Sequence, residues 1–143
     1  MMIDLSRFES ICEVRQRKLV SEENDLRHVA FNWDGDRVRQ YHVDGDVVSK
    51  RDHHKRCDFL VVNDSKKRAY FIELKGSDVQ RAIEQMETTR SMTRDSFRGY
   101  DVFYRIVFRR VTHRIMNSPQ FVKARQRYGH KIRIGSEEIV ESI

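Results

Sequence analysis

At 143 residues, with 35% charged and 38% apolar side chains, the chain has the size and composition of one globular domain, 1–143, with its own core. Its 28 Lys and Arg against 22 Asp and Glu leave a formal charge of +6, which bears on partners more than on fold. No apolar run approaches the roughly 18 residues that a membrane span needs. Two cysteines, Cys12 and Cys57, are too few for a disulfide framework. With no signal peptide read ahead of them, they point to free thiols in a reducing, cytoplasmic setting.

Ser6-Arg-Phe-Glu9 has the form of a capping box. Phe8, Ile11, Cys12 and Leu19 follow at near-helical spacing, which predicts a first helix over 6–20. Glu9 and Glu13, four apart, share one side of it. The polar run 21–25 ends it. Two β-prone runs, 28–33 and 37–43, flank Asp34-Gly35-Asp36, and a second Asp44-Gly45-Asp46 precedes Val47-Val48. Asp-Gly between such runs is a hairpin signal, because glycine supplies the positive φ of a tight turn. A calcium loop would need further oxygen ligands at fixed spacing, and they are missing. His53-His54-x-x-Cys57, with His42 nearby, falls short of the two ligand pairs that tetrahedral zinc wants, and reads as a polar loop.

Phe59–Val62 is a strand apolar on both faces, and the short polar break 63–68 leads to a second strand, Ala69-Tyr-Phe-Ile-Glu73-Leu-Lys75. Alternation places Glu73 and Lys75 on one face, with Asp58 across the ladder at the start of the preceding strand. Charges inside an apolar strand pair are expensive, and buried ion pairs add little net stability. A site that needs them explains them better than folding does.

After Gly76, a capping box at Ser77-Asp-Val-Gln80 opens a second helix to about residue 89. Its buried stripe is Val79, Ala82, Ile83 and Met86, with Gln80, Arg81, Glu84 and Gln85 off it. A core strand over 100–111 follows, with arginines at its end. Next is a helix opened by Ser118-Pro119 and stopped by Gly129, with Phe121, Val122 and Tyr128 facing the core. Residues 131–134 alternate like an edge strand. Residues 90–133 hold 12 basic and two acidic side chains, a local +10, whereas the remainder sums to −4. A basic half joined to an acidic one that contains the site suits a polyanion held against a cation-binding centre.

Asp58, fourteen intervening residues, then Glu73-Leu-Lys75 resembles the Asp…(Asp/Glu)-x-Lys signature of the PD-(D/E)XK nuclease superfamily, in particular its small resolvases and endonucleases. The resemblance spans about 44–86. Cys57 stands where the family's leading proline would be. It implies an α/β (α+β) restriction-endonuclease-like fold with an αβββαβ core, a central mixed sheet flanked by helices. It also implies a Mg²⁺- or Mn²⁺-dependent endonuclease acting on DNA, possible structured DNA included, and leaves room for a homodimer. Asp58 and Glu73 would hold the metal with the Leu74 backbone carbonyl, because hard cations favour oxygen ligands. Lys75 would position or deprotonate the attacking water. Glu13, or failing it Glu9, would be a fourth carboxylate from the first helix. Gln85, with Arg105, Arg109 and Arg110 of the basic half, would touch phosphate. Two other readings stay open: a nucleic-acid-binding module that no longer cuts, and an accessory subunit of a defence or mobile-element system.

Overall fold

The computed structural model describes residues 2–43, 57–74 and 78–143. Among these, eight strands and three α-helices form a mixed α+β architecture of three layers. The middle layer is a five-stranded sheet of β3 (Val38–His42), β4 (Phe59–Asn63), β5 (Arg68–Leu74), β6 (Asp101–Phe108) and β7 (Ile132–Ser136), in that order. The strands β3, β4 and β5 run antiparallel, and β5, β6 and β7 run parallel. The helices α1 (Val79–Met92), α2 (His113–Met116) and α3 (Pro119–Tyr128) supply the crossovers that parallel neighbours require.

Alternation divides the core in two. Leu60, Val62, Phe71 and Ile106 face α1 and α3, where Ala82, Met86 and Phe121 meet them. Val61, Tyr70, Ile72, Leu74 and Val107 face the other way, against a separate three-stranded sheet of β1 (Lys18–Glu23), β2 (Leu26–Phe31) and β8 (Glu138–Ser142). The predicted single sheet between helices is therefore a sheet with helices on one face and a second sheet on the other.

The N-terminal helix expected over 6–20 is not formed. Leu5–Arg7 is one 3-10 turn capped by Asp4, and the chain is already a strand from Lys18. Ile11 and Val14 are 55% and 59% exposed, so the segment has no continuous apolar stripe to bury as a helix. The strands β1 and β2 form a hairpin through Asn24 and Asp25, both at positive φ, as a two-residue turn requires. Asp34-Gly35-Asp36 does turn the chain, with Gly35 at φ +63°, but it carries the chain from one sheet to the other rather than closing a hairpin. Asp44-Gly45-Asp46, His53 and His54 lie outside the described residues.

Asp78, not Ser77, caps α1: its side chain accepts the Arg81 N–H. Helix α3 has the expected Ser118 cap and Gly129 stop, and β7 is the expected edge strand. Val122, expected in the core, faces outward. Among the described residues, no helix is long and apolar enough to cross a membrane.

Candidate functional site

The ladder that places Asp58 begins just before β4. The Asp58 N–H donates to the Ile72 carbonyl at 3.1 Å, and its carbonyl accepts the Val43 N–H at 2.8 Å. The β4–β5 register pairs Phe59 with Ile72 and Leu60 with Phe71, and its continuation sets Asp58 directly opposite Glu73. Both then belong to the face that carries Leu60 and Phe71, beneath α1. Both are 0% exposed. Asp58 Oδ2 accepts the Leu74 N–H at 2.8 Å, while Oδ1 has no hydrogen-bond partner among the described residues.

Helix α1 roofs this pair. The Cys57 N–H donates to Thr89 Oγ1 at 2.7 Å, and that hydroxyl in turn donates to the Gln85 carbonyl at 2.9 Å. The segment carrying Asp58 is thus tied to the helix that follows Glu73. Gln85, expected on the outer side of α1, is buried, and its Oε1 has no hydrogen-bond partner among the described residues. Burial, reinforced by the negative charge of Glu73 and Asp58, pushes the Cys57 thiol well above its ordinary pKa. Burial likewise raises Cys12. Both thiols are free, Cys57 buried and Cys12 half-buried, and their raised pKa values fit small packing side chains rather than nucleophiles.

No family model, curated protein or solved structure matches this chain. The site therefore rests on its own geometry.

The described part of that geometry is a pair of buried carboxylates facing each other across two strands, one oxygen of Asp58 still open. Leu74 is the next residue of the same ladder, and its amide is already committed to Asp58. Lys75 lies outside the described residues. Glu13 does not join the pair. It is exposed in the segment along the outer edge of β3, where the Ile11 N–H donates to the Gln40 carbonyl and the Val38 N–H to the Val14 carbonyl. Two strands separate that edge from Glu73. Glu9 is exposed on the same segment. Among the described residues no group of three or more His, Cys, Asp or Glu side chains is gathered to hold a metal.

Arg105 is on the opposite face of the middle sheet, in register with Ile72, and only 6% exposed. Its guanidinium donates to Glu141 twice, at 2.7 and 3.0 Å, and to the carbonyls of Tyr104 and Lys131. Those bonds leave it no route to a phosphate beside Asp58. Arg109 and Arg110 stand differently. They follow β6, which runs parallel to β5, so they emerge at the same end of the sheet as Leu74. Both are exposed, and they line a cleft of about 720 Å³ together with Arg114, Thr112, Ser118 and Asp78. Arg114 was not singled out from the sequence, because α2 is one turn long and has no apolar pattern to announce it.

A second polar centre joins the two sheets. Glu141 receives Arg105 and also His28 Nε2 at 2.7 Å, and His28 is fully buried. Burial alone would raise Glu141, but the hydrogen bonds and charges of His28 and Arg105 hold it down at about 2. Tyr70 and Phe103, stacked at 4.9 Å, flank the Arg105 guanidinium. This cluster fastens β8 to the core, and nothing in the local sequence of β8 could have named its partners.

Proposed function

We propose that this chain is a metal-dependent nuclease of the PD-(D/E)XK type that hydrolyses phosphodiester bonds in DNA, with Asp58, Glu73 and Lys75 as its working residues. The observation that carries the reading is the Asp58–Glu73 pair: two fully buried carboxylates opposed on neighbouring strands, with Asp58 Oδ1 open. Two carboxylates brought opposite each other offer the oxygen donors that a hard divalent cation takes.

The donor set fits Mg²⁺ or Mn²⁺, which prefer carboxylate and carbonyl oxygen. Asp58 and Glu73 would hold the ion, with the Leu74 carbonyl as a further ligand. A divalent cation bound there supplies Lewis-acid polarisation of a phosphoryl oxygen and a water of lowered pKa. Asp58 is held for that task by the Leu74 N–H, which fixes one carboxylate oxygen and leaves the other to bind. Lys75 is assigned the placing and deprotonation of the attacking water, on the strength of its position two residues beyond Glu73. Arg109, Arg110 and Arg114, at the same end of the sheet, would hold neighbouring phosphates of the backbone and set its path.

A nucleic-acid-binding module that keeps this arrangement without cutting is the second reading, and the placement of Glu13 away from Asp58 favours it. Plasmid and branched-junction cleavage with Mg²⁺ and Mn²⁺, comparing wild type with Asp58→Ala and Lys75→Ala, separates the two. The nuclease reading expects cutting that both substitutions abolish, and cutting that survives both removes the site assignment. A wild type that never cuts yet shifts DNA with a steep salt dependence makes the chain a binding module.

A further inference from the structure

Trp33 is the only tryptophan in the chain, and it is 62% exposed. So large a ring normally buries most of its surface. Trp33 is nevertheless fixed in place. Its ring lies parallel to Phe31, with centroids 4.6 Å apart and planes 6° apart, and its Nε1–H donates to Ser142 Oγ at 3.1 Å. With one face on Phe31 and its edge held by Ser142, the indole turns its remaining face to solvent.

The surroundings are cationic. Lys18 Nζ lies 5.9 Å from the Phe31 ring centre. The Arg17 guanidinium donates to the Trp33 carbonyl, and Arg15 Nη1 donates to the Gly35 carbonyl at 2.7 Å. Gly35 makes room for this: a Cβ there would stand 3.2 Å from Arg17 Nη2, on a backbone at φ +63°. Lys66 Nζ contacts both acids of the same turn, Asp34 at 2.6 Å and Asp36 at 3.0 Å, and so offsets one of their two charges. Arg15, Arg17 and Lys18 outnumber the one acidic charge that remains, so the open aromatic face keeps a net cationic rim.

We propose that the Phe31–Trp33 stack, framed by Arg15, Arg17 and Lys18, is a stacking platform for an unpaired base of single-stranded nucleic acid. Every base has a π-face that can extend a parallel stack, and its phosphates need cations close by. A second copy of this chain is a poor occupant, because the two cationic rims would oppose each other. The platform lies on the outer face of the β1–β2–β8 sheet, whereas Asp58 and Glu73 lie on the helix-covered face of the other sheet. It is therefore separate from the proposed catalytic pair and does not depend on it.

Because Trp33 is the sole tryptophan, its own fluorescence reports on the site. Oligo(dT) titrated in low salt with EDTA, which silences any metal-dependent cutting, should quench that emission to saturation. A duplex of equal length should quench it far less. With a dye-labelled strand followed by anisotropy, Trp33→Ala should weaken binding on the order of tenfold, while Trp33→Phe keeps most of the affinity. Binding without quenching, equal quenching by duplex, unaltered affinity of Trp33→Ala, or no binding of single strands at all would each overturn the platform. All four outcomes leave the cleavage assay untouched.

Discussion

The Leu74 N–H donates to Asp58 Oδ2, so the backbone of β5 holds the carboxylate that precedes β4. An asparagine at 58 keeps an acceptor for that bond while removing the negative charge. Asp58→Asn should therefore fold as well as wild type, with unfolding free energy within about 1 kcal/mol of it. Its Mn²⁺ binding, followed by calorimetry, should vanish together with cleavage. A variant that is strongly destabilised, or that still binds Mn²⁺ as wild type does, contradicts this assignment.

Thr89 accepts the Cys57 N–H at 2.7 Å inside the core. In Thr89→Val the shape is retained and that amide is stranded, at a cost of about 1–3 kcal/mol. Thr89→Ser retains the acceptor and should lose less. Denaturant titration of the pair measures the difference, and equal losses would mean that the hydroxyl does not anchor the Asp58 segment.

Parts of this fold were legible because they are local. The apolar runs of β4 and β5 announce buried strands, and Ser118-Pro119 with Gly129 brackets α3. The parity of Glu73 against Ile72 follows from the pleat alone. Other parts depend on remote partners. Strand β8 reads Glu-Ile-Val-Glu-Ser and is a strand because β2 offers it a ladder and Arg105 donates to Glu141. The face that Arg105 occupies could be read relative to Tyr104 and Ile106, but not relative to Glu73, because the parallel β5–β6 register is set across the intervening helix. Over 6–20 the capping-box pattern points to a helix, but the apolar spacing is too sparse to bury one. The narrow apolar stripe puts Gln85 outside, yet α1 is buried on both the sheet side and the α3 side.

His28 and Arg105 make Glu141 one source of acid sensitivity in the fold. Glu141 is held at about 2, below its ordinary 4.5, so the stability it contributes is complete above about 4.5. That contribution is lost as pH falls from there to about 2, and it amounts to about 3 kcal/mol. Glu141→Gln should flatten the acid limb of the stability curve in that window and lower stability at pH 7 by about 3–5 kcal/mol, because Arg105 stays buried with its partner gone. Mn²⁺ binding at the proposed Asp58–Glu73 site, on the opposite face, should be unaffected. Chemical denaturation across the acid range, wild type against variant, gives both numbers, and parallel curves would show that Glu141 is not the titrating group.

The cleft beside the end of β5 makes the last prediction. If Arg109, Arg110 and Arg114 each meet a phosphate, each releases about one counterion on binding, so each Arg→Ala should reduce the logarithmic salt slope of DNA binding by about one. The loss should be the same for any sequence, since phosphate contacts carry no base information. Arg105→Ala provides the contrast: it should destabilise the fold through the uncompensated Glu141 and leave the salt slope of the folded protein unchanged. Duplex binding measured over a range of salt tests all four variants together. A slope that falls with Arg105 and stays fixed with Arg109, Arg110 and Arg114 would move the nucleic-acid path away from this end of the sheet.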